Sequence, residues 1–239
     1  MSKKKYNEIK KRKPVWRCVS GILKLFFKKP KLINLAGELP DKAIYVANHS
    51  AMFGPLIYNL YLPAKIAQWG AYPMLGNYKS RYRYLKDVYF IQKRHKSKFS
   101  ATILAFLEAF FSPFIYKGMR VLPSYNDTRF ITTIRKSMQM LDNDIGVIIY
   151  PENSNDGYHE TMTGFFPGFV ELARYYHRKH GQNVPIYPVY YHAKKKTMVI
   201  GQAQYLSDYL NRGLNRKEIA AELCTQVNNL FLQYIQDNK

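Results

Sequence analysis

Two short apolar runs in this sequence end in residues able to move a proton. The first, Ala43–Ala47, has the length and β-branched content of a buried strand and stops at Asn48-His49. The second, Gly146-Val-Ile-Ile-Tyr150, runs into Pro151-Glu-Asn-Ser154. Imidazole titrates nearest neutrality among the side chains, so His49 is the candidate general base. Pro55 then opens a segment rich in Leu, Ile and Tyr, which makes the unit a strand, a tight turn and a helix. Turns at the carboxyl ends of strands are where α/β sheets bind ligands. A lone histidine at such a turn also has a purely structural reading, and the second turn, with Glu152, is what makes it a candidate site.

Downstream, Gly164-Phe-Phe-Pro-Gly168 leads into a helix, and Val184-Pro-Ile-Tyr-Pro-Val-Tyr190 reads as a further strand. Together with Asn48-His49 and Pro151-Glu152, this order resembles the glycerolipid acyltransferase family. That family carries N-H-x-x-x-x-D, then F-P-E-G-[TS]-R, then a P-I-x-P-V strand. The resemblance covers roughly residues 40 to 205. Three charged positions depart from it. The family's aspartate falls on Gly54 and the arginine after the glutamate motif on Asn155, with Asn153 where glycine is usual. The strand near Met119–Pro123 should end in arginine and carries Pro123. The chain resembles a divergent member.

The resemblance implies transfer of an acyl group from a thioester, acyl-CoA or an acyl carrier protein, to a hydroxyl of a lysolipid or glycerolipid acceptor. No cofactor is implied, the thioester being a co-substrate. His49 would take the hydroxyl proton, and backbone N–H groups of its turn would face the oxyanion. At a helix N-terminus the macrodipole disfavours an imidazolium, as a base requires. Direct attack needs no enzyme nucleophile, so Ser50 and Ser154 are not assigned that role. Glu152, Asn153 and Ser154 are the candidate acceptor-binding residues, with Lys117 and Arg120 as replacements for the missing arginines. Losing those arginines removes bidentate phosphate recognition, so a non-phosphate acceptor stays open. Asp156, Glu160 or Asp87 would have to orient His49 in place of the aspartate. Gly54→Asp would return a carboxylate to the histidine's side of the helix's first turn. The alternative is an inactive, lipid-binding relative. If the turns form one site, Ser50, Gly54 and the Glu152 turn converge on His49, within about 12 Å, the reach of one bound substrate.

Charge narrows the partners. Lys plus Arg number 37 against 16 Asp plus Glu, a net +21, which calls for an anionic partner surface. The basic residues bracket apolar helices instead of forming a nucleic-acid-binding motif, so an anionic membrane surface is expected and nucleic acid is not. The two cysteines, Cys18 and Cys224, make neither a disulfide framework nor a zinc spacing. His95, His159, His177, His180 and His192 show no ligand spacing, so no metal is expected. The basic start Lys3-Lys4-Lys5 lacks the pattern of a signal peptide.

The elements that must position the turns read as one α/β domain, a single central mixed sheet flanked by helices, with an N-terminal amphipathic helix. Residues 1–30 form a basic amphipathic segment suited to the cytoplasmic face of a membrane, and 31–239 the acyltransferase-like domain. From Pro14, Val15, Trp16, Val19, Ile22, Leu23 and Phe26 make one apolar face, which suits either a membrane interface or the chain's own domain. Strands are expected at 31–36, 43–47, 65–69, near 119–123, 146–150, 185–191 and 197–202. Residues 72–97, rich in Tyr, Lys and Arg, read as a surface excursion facing headgroups or merely water. Phe99–Tyr116, with Glu108 and Ser112-Pro113 inside it, reads as a buried or membrane-dipping helix, not a span. Asp127 is the expected N-cap of a helix ending at Leu141, Phe166–His180 a helix closed by Gly181, and Arg216–Gln236 the last helix.

Overall fold

The computed structural model describes residues 14–50, 53–154 and 157–236. The basic start, Asn155 and Asp156 lie outside the described residues. In chain order the elements are α1 Pro14–Phe26, β1 Lys31–Asn34, β2 Ile44–Ala47, α2 Gly54–Tyr61 and β3 Ile66–Ala71. A 3₁₀ turn Tyr72–Leu75, α3 Tyr78–Arg83, a π-type helix Tyr84–Lys93 and α4 Lys98–Gly118 follow. Then come β4 Val121–Ser124, α5 Phe130–Leu141, β5 Gly146–Ile149, α6 Gly168–His180, β6 Ile186–His192 and β7 Thr197–Ile200. Helices α7 Leu206–Asn211 and α8 Arg216–Phe231 close the chain, α8 running on into the π-type turns of Leu232–Gln236.

The seven strands form one mixed sheet in the order β1-β7-β6-β2-β5-β3-β4. Strands β6, β2, β5, β3 and β4 are mutually parallel, while β7 turns back antiparallel on β6 and β1 pairs parallel with β7. Five carboxyl ends therefore share one edge, with β2 and β5 adjacent at its middle. Helices cover both faces, so the central strands are apolar on both sides. Ile44 and Val46 of β2 enter one core with α5, α6 and α8, while Tyr45 and Ala47 enter the other with Ile57 and Tyr58 of α2. Fully burying each such aliphatic side chain contributes about 1.5–3 kcal/mol. The strands form where the apolar runs stand.

One expected helix cap does not form. Asp127 does not cap α5: its carboxylate accepts from the N–H and guanidinium of Arg129, and the helix starts at Phe130. Gly181 does end α6, at φ +67°, and Asn215 with Glu218 closes a capping box on α8. The short helix α7 was not expected.

The surface excursion at 72–97 is largely helical. Leu85, Tyr89 and Phe90 of the π-type helix pack on Ala101, Ala105 and Ala109 of α4. Helix α1 splits its apolar residues. Trp16, Val19 and Leu23 pack with α2 and the end of α4, whereas Val15, Ile22 and Phe26 are exposed. Trp16 lies so close over Gly118 that a Cβ there would meet its ring at 1.9 Å.

Glu108 sits on the packed side of α4, beside Tyr89 and Tyr116, and its Oε2 has no hydrogen-bond partner among the described residues. Burial pushes its carboxyl up to about 7 from 4.5. The native state therefore keeps a proton that the unfolded chain has already released, so stability falls as pH rises between those two values. Above them the penalty is on the order of 2–3 kcal/mol. Glu108→Gln should raise the unfolding midpoint at pH 8 and leave it nearly unchanged at pH 4. Chemical denaturation at the two pH values measures this.

Candidate active site

Chain β2 leaves the sheet through Asn48, and the exit is fixed from the side chain. The Asn48 carboxamide donates through Nδ2 to the Tyr191 carbonyl at 3.0 Å and accepts the Tyr191 N–H at 2.9 Å. It thereby extends the β2–β6 ladder by one side chain. Its Oδ1 also accepts from the Tyr58 hydroxyl at 2.6 Å, which ties the turn to α2. All three groups are buried, where unpaired polar atoms would be costly.

With the exit fixed, the His49 N–H donates to Glu152 Oε2 at 3.1 Å. The Glu152 turn is held in turn by a short strand-like pairing. Glu152 bridges Phe165, the Asn153 N–H reaches the Gly164 carbonyl at 3.0 Å, and the Phe166 N–H reaches the Pro151 carbonyl at 2.7 Å. This is what the Gly164–Pro167 segment does. The two turns thus meet, joined through the His49 backbone.

Aromatic rings wall the histidine. The His49 ring stacks on Tyr158 with centroids 4.9 Å apart and meets Tyr150 edge-on at 5.5 Å. The Tyr150 hydroxyl donates to Gln68 Oε1 at 2.8 Å, which fixes that ring from β3. Burial pushes the Tyr150 and Tyr158 phenols up, so both stay protonated. Lys93, the last residue of the π-type helix, donates to Ser154 Oγ at 2.6 Å and lies 5.8 Å from the Tyr158 centroid. Imidazole and ammonium bear on the same phenol ring.

The charges here work against burial. Desolvation raises the Glu152 pKa, opposed by the His49 N–H and then by the positive charge of Lys93. Desolvation lowers that of Lys93, opposed by Glu152. Each favours the charged form of the other. The set amounts to a half-buried base, a carboxylate locked to its backbone, and a cation with a hydroxyl. Such a set can take up a proton and hold a polar or anionic group.

The structure thus brings His49, Glu152 and Ser154 together. Asn153 is exposed and contributes its backbone. Lys117 and Arg120 do not join them. Arg120 precedes β4, at the end of that strand away from the His49 turn and with β5 and β3 between. They line a separate cleft with Arg81. Of the carboxylates expected to orient His49, Glu160 is bonded to His192 at 3.1 Å, and Asp87 lies beside Lys86 at the surface. Among the described residues no grouping of His, Cys, Asp and Glu is arranged to hold a metal ion. The roles of Asn48, Lys93, Tyr150 and Tyr158 were not anticipated. The one available signal was a polar Asn closing a wholly apolar strand.

Gly54 has a physical reason of its own. A Cβ there would lie 2.0 Å from the His49 carbonyl oxygen and 3.0 Å from the Ser50 Cβ. Ser50 itself takes a left-handed conformation, φ +46°, to make so tight a turn. That costs a non-glycine residue about 1–2 kcal/mol. Gly54→Asp therefore does not restore a carboxylate beside His49, since its first carbon collides with the histidine's own backbone. Both Gly54→Asp and Gly54→Ala should destabilise the fold by about 2 kcal/mol or more. Denaturant unfolding reads this, and wild-type stability in Gly54→Asp would refute the close approach.

No protein-family model matches this chain, and no curated protein matches it.

Proposed function

We propose that the protein is a membrane-associated acyltransferase. It moves a fatty acyl group from a thioester, acyl-CoA or an acyl carrier protein, to a hydroxyl of a lysolipid or glycerolipid at the cytoplasmic face of a membrane. The observation that carries this reading is the hydrogen bond from the His49 N–H to Glu152 at 3.1 Å. It joins the two turns whose residues resemble the glycerolipid acyltransferase motifs, at the carboxyl edge of adjacent strands. The mixed α/β sheet is compatible with an acyltransferase-like fold, and α1 with a basic amphipathic membrane helix.

In this reading the acceptor hydroxyl gives its proton to His49 as its oxygen attacks the thioester carbonyl carbon. The carbon–sulfur bond then breaks, and the thiolate leaves with the proton from His49. Lys93 and Ser154 hold the acceptor's polar or anionic part, and Glu152 fixes the His49 backbone. Stacking on Tyr158 helps set the plane of the ring.

Gly54 favours a second reading, an inactive lipid-binding relative, because the backbone approach at that position leaves no room for the family's aspartate. Turnover separates the two. With acyl-CoA and a total lipid extract, His49→Ala should lower the rate at least about a hundredfold. Glu152→Gln, which keeps an oxygen for the His49 N–H, should fall less. A wild type no faster than His49→Ala would establish the inactive relative.

A further inference from the structure

Helix α4 is built inside out. Its packed face is small, Ala101, Ala105, Ala109 and Ser112, while Phe99, Ile103, Phe106, Phe110 and Phe114 project outward. Of these, Phe99 is 76% exposed and Phe114 72%. Spacings of three and four place them on one stripe. Lys98 stands at one end of the helix, and Pro113 and Lys117 carry the stripe's flank to the other. There Arg81, Lys117 and Arg120 surround a cleft of about 370 Å³ floored by Met74, Leu75 and Tyr116. Among the described residues no carboxylate lines it. Cations gathered in one cleft repel one another, and a multiply charged anion relieves that repulsion.

We propose that the outer face of α4 seats the protein in one leaflet of an anionic membrane, with Arg81, Lys117 and Arg120 taking a lipid phosphate at its end. This adds α4 to the membrane-facing surface beside α1, and stands whether or not the His49 site turns over.

Helix α4 is long and apolar enough to cross a bilayer by length and composition. Its packing decides against crossing. Arg81 Nε donates to the Ala109 carbonyl at mid-helix, 3.0 Å away, and the π-type helix lies along the small-residue face. A spanning α4 would drag Lys79, Arg83 and Lys86 toward the bilayer centre, where charges are strongly disfavoured. Lying flat, the helix immerses its phenyl rings and leaves those cations at headgroup level. Charge also decides against a second copy of the chain as the occupant. Two such faces brought together would oppose their cationic clefts, on chains of net charge +21 each.

The test is co-sedimentation of the full chain with neutral phosphatidylcholine vesicles and with phosphatidylcholine mixed with phosphatidic acid, at matched salt. Wild type should prefer the mixed vesicles. Phe106→Ser combined with Phe110→Ser should lose at least about tenfold in binding to both, since it removes exposed rings only. Lys117→Glu should lose about fivefold or more on the mixed vesicles and little on the neutral ones. Glycerol 3-phosphate and inorganic phosphate, added in excess, should compete weakly. Full competition would show that the cleft takes free phosphate and overturn the headgroup assignment. Wild-type binding by the double serine variant would overturn the seat, as would a wild-type dimer in sedimentation velocity that the same variant dissociates. Circular dichroism of each variant separates lost binding from lost fold.

Discussion

The Asn48 carboxamide is the constraint on which the candidate site depends. A strand that leaves a parallel sheet has no ladder partner for its next residue, and the backbone there is free to turn many ways. Asn48 removes that freedom by using its side chain as one more peptide unit against Tyr191, while Tyr58 takes the second lone pair of the same oxygen. The direction of the His49 N–H follows from it, and so does the meeting with Glu152. The remaining oddities of the turn are consequences. Ser50 becomes left-handed and Gly54 must lack a side chain because the chain has to reverse within a few residues of a fixed point. Buried neutral hydrogen bonds contribute only about 1 kcal/mol each, but leaving their partners unsatisfied costs more. The clamp therefore acts mainly by excluding alternative turns.

Electrostatics and packing divide the work around His49. A carboxylate and an ammonium sit partly desolvated and favour each other's charged forms. The tyrosines supply the walls. Their burial keeps them protonated, and as aromatic faces they orient an imidazole without competing for its proton. The histidine is thus held by rings on its side chain and by Glu152 on its backbone.

The strands were legible because each is a short apolar run bounded by polar or glycine-containing turns, a local property. The pairing of His49 with Glu152 was legible through motif order, since β2 and β5 are neighbours in the sheet. Strand order itself, with β7 turned back between β1 and β6, is set by long-range packing and leaves little trace in the sequence. Lys93 was hidden for the same reason. It arrives from a helical layer whose path over the domain is decided by Tyr89 and Phe90 meeting the alanines of α4. Lys117 and Arg120 show the converse, because proximity in sequence to a motif strand placed them at its far end. Asp127 failed as a cap because Arg129 claims its carboxylate first. Apolar periodicity located α4 but not its orientation: the rule that large apolar side chains face the core fails where the partner helix fits closely only against alanine.

That inversion joins the surface to the site. The π-type helix Tyr84–Lys93 contributes Tyr89 and Phe90 to the cluster on α4 and ends in Lys93, which holds Ser154. Tyr158, stacked on His49, packs against the same cluster. Close-packed side chains transmit displacement because there is no void to absorb it. π-type turns, which insert a residue and loosen the regular hydrogen-bond ladder, occur preferentially near functional positions. One short helix therefore carries both the surface on which α4 rests and the cation that holds Ser154.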